Sequence, residues 1–182
     1  MRWLVLIACL AGCDQLFGLV HVDQQTVDAA AVCPASYNLA VATSPTVYRY
    51  EPTNKTWLDA ELSCETESAG ITHLIVLSDD TERLGIVGAL ADTGVTTTIW
   101  IGLSDRISEG SFRWVSAEPV GMPPLENPPW PPGQPDDNGG QDCVRIQGST
   151  TVAPTLFDDT QCGLMFDYVC ECDAYAPDPR NF

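Results

Sequence analysis

Apolar and polar positions change rhythm several times along this chain of 182 residues. YNLAVATSPTVYRYEP, Tyr37 to Pro52, places apolar runs on either side of Ser-Pro and predicts two short strands joined by a turn. In KTWLDAELSCETESAG, Trp57, Ala60 and Cys64 recur at helical spacing with Leu58 and Leu62 on the flank. That pattern predicts a helix stopped at Gly70. SDDTERLGIVGALADTG predicts a second helix, capped by Ser78 or Asp79 with Glu82 in the first turn. Its inward positions are Leu84, Val87 and Leu90 or Ala91, and Gly85 and Gly88 weaken it unless something packs closely there. TTTIWIGLSD reads as a buried strand, SFRWVSAE as another, and DRISEG as the turn between them. No template fits Pro119 to Asp142, a length of loop that is usually functional. CVRIQG, TLFDDTQC and FDYVCEC close the chain as short antiparallel strands. Helices early and strands late predict an α+β domain, not a doubly wound sheet.

The two ends read differently from this domain. Asp14 to Val32 has no sustained period and is read as a tether; APDPRNF is read as a tail contributing nothing to the core. Composition narrows the partners. A formal net charge of −17 argues against nucleic acid and anionic lipid surfaces as partners, and a 45% hydrophobic content argues against a disordered chain. The opening MRWLVLIACLAGC carries an apolar run too short to span a bilayer. Its end, Leu10 to Cys13, resembles a bacterial lipoprotein signal, in which the cysteine takes a diacylglycerol thioether and becomes the new N-terminus. An ordinary signal peptide or a buried strand are the alternatives. The resemblance implies a signal over 1–12, a lipid on Cys13, a tether over 13–32, and a lipid-anchored place on the extracytoplasmic side of a bacterial cell envelope. The domain then runs over 33–173 and the tail over 174–182.

Cys33, Cys64, Cys143, Cys162, Cys170 and Cys172 remain after that segment. An even set in an exported chain without a C-x-x-C pair reads as disulfides rather than zinc, with the connectivity open.

The central question is the stretch WPPGQPDDNGGQDC, Trp130 to Cys143. Proline and glycine deny it a helix or ladder, yet it gathers many oxygen-bearing side chains. Either a hard cation holds them or they form a solvated acidic turn. Five blocks bear on this: W-L-D-A-E-L-S-C (Trp57 to Cys64), W-I-G-L (Trp100 to Leu103), W-x-x-x-Q-P-D (Trp130 to Asp136), D-C-V (Asp142 to Val144) and F-D-D-x-x-C (Phe157 to Cys162). In this order and spacing, closed by Cys170 and Glu171, they resemble the C-type lectin-like domain. The resemblance covers about Cys33 to Cys172.

It implies the fold of that family, with two helices, two small antiparallel sheets and a long irregular loop region. It implies the pairings Cys64–Cys170, Cys143–Cys162 and Cys33–Cys172, each adding a few kcal/mol. It also implies Ca2+ as cofactor. Gln134 and Asp136, flanking a cis Pro135, would supply oxygens to one ion together with Asp158, Asp159 and Gln141. Two vicinal sugar hydroxyls would complete its coordination. Gln-Pro-Asp is the version that goes with galactose-type sugars. Asp105, Glu109, Asp137 and Asp142 fall where the family holds an auxiliary ion. Two departures stand out: Gln141 replaces the usual glutamate, and Asp158 the usual asparagine.

The function this implies is calcium-dependent binding of a carbohydrate or glycoconjugate, without catalysis. A protein-binding domain with structural or no calcium is the alternative, favoured by Gln141 and Asp158. A hydrolase using Asp136 and Asp159 would need one carboxyl raised by an apolar pocket, which a polar loop does not offer. Trp100 and Trp114 read as core and Trp130 as a loop anchor. His21 and His73 are too separated for a triad or zinc site, and Arg106, Arg113 and Arg145 read as surface charges.

Overall fold

The computed structural model describes residues 33–42, 44–68, 70–95, 97–116, 130–146 and 157–182. The readings made for residues 1–32, the lipid on Cys13 among them, and part of the long loop lie outside that set. The described strands are β1 (Leu39–Ala40), β2 (Val47–Lys55), β3 (Thr72–Leu74), β4 (Ile99–Ser104), β5 (Arg113–Trp114), β6 (Cys143–Ile146), β7 (Phe157–Thr160) and β8 (Phe166–Cys172), and the helices α1 (Trp57–Glu65) and α2 (Asp80–Asp92).

Thr56 caps α1 by accepting from the Asp59 amide. The helix turns its Trp57, Ala60 and Cys64 face inward as the spacing predicts, and Cys64 is bonded to Cys170 of β8. It ends at Glu65, short of Gly70. The hydroxyl of Thr66 takes the Ser63 carbonyl, and the Glu67 amide turns back to Cys64, so the last carbonyls are satisfied in a tighter turn. Asp79 caps α2 through the Glu82 amide at 2.8 Å. The inward face of α2 is Glu82, Arg83, Ile86 and Leu90, while Leu84 is 53% exposed, which corrects the predicted stripe by a fraction of a turn. The reason is Glu82, which lies buried where a periodicity based on apolar residues cannot place a carboxylate.

The strands form one connected sheet in the order β1-β2-β8-β4-β6-β7, with β3 on β8 and β5 on β4. The two antiparallel groups expected from the resemblance are both there. They are joined by a short parallel contact, Ile99 opposite Asp167 and Trp100 opposite Tyr168. The three implied disulfides, Cys33–Cys172, Cys64–Cys170 and Cys143–Cys162, are all formed. Trp100 and Trp114 are core residues, as read.

Three buried glutamates from different elements serve one segment. Glu61 of α1 accepts from the Leu74 amide, Glu171 of β8 from the Val76 amide and Glu82 of α2 from the Ser78 amide, each at 2.7 Å. Alternate amides of residues 74–78 thus find carboxylates in place of a neighbouring strand. The tail also departs from its reading. Asp178 donates its amide to the Val115 carbonyl at 2.7 Å, Asn181 reaches the Trp114 carbonyl, and Phe182 stands edge-on to Trp57. An apolar last residue and two backbone partners on β5 and just beyond it make the tail part of the domain.

Candidate functional site

The site is built where β4 and β6 leave the sheet side by side. Their pairing brings Ser104 opposite Cys143 and continues one step further, the Asp105 amide donating to the Asp142 carbonyl at 3.0 Å. The turn DRISEG is then folded by its own first residue: an Asp105 carboxylate oxygen accepts from the Gly110 amide at 2.8 Å, and Gly110 takes the positive φ of 73° that a bulky residue resists. This swings Glu109 back toward the strand ends. Carboxylate oxygens of Glu109, Asp137 and Asp142 lie within 4.8 Å of one another. Asp105 is buried beside them, its other carboxylate oxygen without a hydrogen-bond partner.

The electrostatics follow. Burial and then the charge of Asp142 raise the Asp105 carboxyl, although the Gly110 amide pulls the other way. Desolvation and then the charges of Asp105, Asp137 and Asp142 raise Glu109. Two acids held above their ordinary range by burial and by neighbouring carboxylates, with one buried Asp105 oxygen lacking a hydrogen-bond partner, are a donor set that suits a hard cation. The residues fit calcium, which takes roughly six to eight oxygen ligands.

The Gln-Pro-Asp loop is held differently. Trp130 anchors it between Phe112 and Phe157, at ring distances of 5.4 and 5.5 Å. The Gln134–Pro135 peptide is cis. Asp159 of β7 accepts from the amides of Asp136 at 3.0 Å and Asp137 at 2.8 Å. Asp137 accepts from the Gln141 amide, and Asn138 donates its amide to Gln141 and Asp136. Much of the oxygen in this stretch therefore replaces a backbone ladder. Gln134 keeps a buried side-chain oxygen with no hydrogen-bond partner.

Of the residues named from sequence, the structure brings Asp105, Glu109, Asp137 and Asp142 together, and joins Asp136, Gln141 and Asp159 through the loop. It does not bring Asp158 to them. The Asp158 carboxylate is bound by Arg145 of β6, whose Nε and Nη2 both reach Oδ2 at 2.7 Å. Arg145 is thus no idle surface charge, which corrects its reading. Its signal was the register: Cys143–Cys162 ties β6 to the end of β7, and that pairing sets Arg145 opposite Asp158.

A disulfide-clasped α+β domain that presents an acidic, cis-proline loop at the edge of its sheet is a binding domain of the lectin type. The chain belongs to the lectin C-type domain family, which residues 53–172 match, a family of carbohydrate-binding lectins. It is 31% identical over 127 residues to an alpha-N-acetylgalactosamine-specific lectin of Patiria pectinifera, covering 68% of this chain and 72% of that one. It is 26% identical to human C-type lectin domain family 17, member A, of which it spans 29%. Among solved structures, the C-type lectin CEL-I of Cucumaria echinata superposes with a TM-score of 0.64 at 22% identity, over 78% of this chain and 97% of that one.

Proposed function

We propose that this domain binds carbohydrate with the help of calcium, through the loop from Trp130 to Asp142, and that the sugar is of the galactose or N-acetylgalactosamine type. The observation that carries this reading is the convergence of Glu109, Asp137 and Asp142 within 4.8 Å beside the buried Asp105. Calcium bound there would balance the four acids and fix the loop that presents Gln134 and Asp136. The Gln-Pro-Asp sequence and the N-acetylgalactosamine named for the Patiria lectin favour the galactose side.

Thermal unfolding of the oxidised domain, in calcium and in chelator, tests the first half. A ligand held only by the folded state at about 100 times its Kd stabilises by roughly 2.7 kcal/mol, so Tm rises by several degrees. Galactose, N-acetylgalactosamine and mannose, titrated in calcium by calorimetry, test the second half. Equal melting in calcium and chelator removes the calcium reading; heat with mannose alone removes the galactose one. A protein-binding domain in which calcium is structural is the second reading. The observation favouring it is that Gln141 and Asp159 spend their oxygens on loop amides.

A further inference from the structure

We propose that Arg145 is the resident cation of Asp158, and that this ion pair withdraws Asp158 from any metal or sugar bound at the loop. The inference rests on the proposed function and concerns the ligand set the resemblance implies at the Gln-Pro-Asp loop, which counts Asp158 beside Gln134, Asp136, Gln141 and Asp159, not the Glu109, Asp137 and Asp142 cluster. A bare reading of Asp158–Asp159 takes the adjacent carboxylates as a joint ligand pair. The strand says otherwise, because successive residues of β7 face opposite sides of the sheet.

The two sides have different surroundings. On one side lie Phe157 and Asp159. The Phe157 ring packs on Trp114 and Trp130, and the Asp159 carboxylate fastens the amides of Asp136 and Asp137. Asp158 is on the other side, directly across the ladder from Arg145. The guanidinium holds Asp158 with two donors on one oxygen and lies over the Phe166 ring, 4.9 Å from its centroid. Phe166 in turn stands edge-on to Trp100 at 4.8 Å. The Asp158 side chain is only 11% exposed and that of Arg145 24%. A planar guanidinium between a carboxylate and an aromatic face is fixed in orientation, which a lysine would not be.

For Asp158 to serve a cation beside Asp159, it would have to leave a partly buried charge-assisted pair and cross to the opposite face. The side chains left to the loop are therefore Gln134, Asp136, Gln141 and Asp159, with Asp158 replaced functionally by an internal ion pair.

Calcium calorimetry on Asp158→Ala and Asp159→Asn, with melting of Asp158→Ala, Arg145→Met and the double variant in chelator, tests this. Asp158→Ala should leave the calcium Kd within about twofold of the parent, whereas Asp159→Asn should weaken it at least tenfold. In chelator, both single variants at the Arg145–Asp158 pair should lower Tm, and the double variant should lose no more than the larger single. A tenfold weakening by Asp158→Ala overturns the proposal. So do additive Tm losses, or no loss at all. If the parent takes up no calcium, the proposed function falls, while the melting cycle alone still decides for or against the Arg145–Asp158 pair.

Discussion

Single residues decide where charge is tolerated inside this protein. Glu61 sits fully buried on α1, and its burial pushes the carboxyl up to about 7, although the Leu74 amide and the neighbouring His73 pull it down. His73 faces Glu61 and Asp173 and is itself raised, burial opposing the two carboxylates and the Leu74 carbonyl. The sign is the same for both groups. Between the ordinary 4.5 of an unfolded glutamate and 7, folded Glu61 holds a proton that the unfolded chain has released, so stability falls as pH climbs through that window. The stabilising share of His73 is likewise complete below its ordinary pKa and is lost as pH passes its raised one. Glu61→Gln keeps an acceptor for the Leu74 amide and removes the titration. In urea unfolding with chelator present, the stability difference between pH 5 and pH 7.5 should shrink by roughly 2–3 kcal/mol in this variant. An unchanged difference would show that Glu61 is not the titrating group.

Elements show how far pattern alone reaches. The Asp79 cap, the apolar face of α1 and the buried strand Ile99–Ser104 follow from side-chain chemistry within a few residues, so they are legible in the sequence. Residues 74–78 are not. Their alternate amides are met by Glu61 and Glu171, which are distant in sequence, and by Glu82, four residues past Ser78, and nothing local marks a glutamate for burial. Burial of Glu82, which also accepts from the Tyr48 hydroxyl of β2, hid the true inward face of α2. Arg145 was unreadable for a related reason, since its partner is known only once the strands are in register. Close packing was foreseen at Gly85 and Gly88 alike, but the two differ. A Cβ at Gly85 would stand 2.2 Å from the Val41 side chain, whereas Gly88 has nothing within 4 Å. Gly85→Ala should therefore destabilise by about 1–3 kcal/mol through overpacking, and Gly88→Ala should stabilise by up to about 1 kcal/mol. Paired thermal melts check the opposite signs, and equal shifts would mean that α2 does not seat against Val41.

At the scale of the whole molecule, covalent and non-covalent closures meet at the same end of the chain. The tail, read from its prolines as loose, is fastened to β5 and Trp57 by Asp178, Asn181 and Phe182. Ending the chain after Asp173 should lower Tm by several degrees, since the edge of Trp57 and two carbonyls near β5 lose their partners. Calcium affinity should hold, because the acids of the loop are untouched. Loss of both would place the tail in the site's support. Proline near a terminus predicts that a helix or strand stops there; it says nothing about whether the extended segment docks.

Cys33, the first described residue, is bonded to Cys172 on β8, a strand flanked by β2, β3 and β4. Tension entering the chain from before Cys33 would therefore pass through sulfur directly to the middle of the sheet. It would not peel β1 from β2 one hydrogen bond at a time. For a domain gripped at its loop and held by its N-terminal side, the load path runs from β6 through β4 to β8 and out through that bond, with the strands sheared along their length rather than unzipped from an edge.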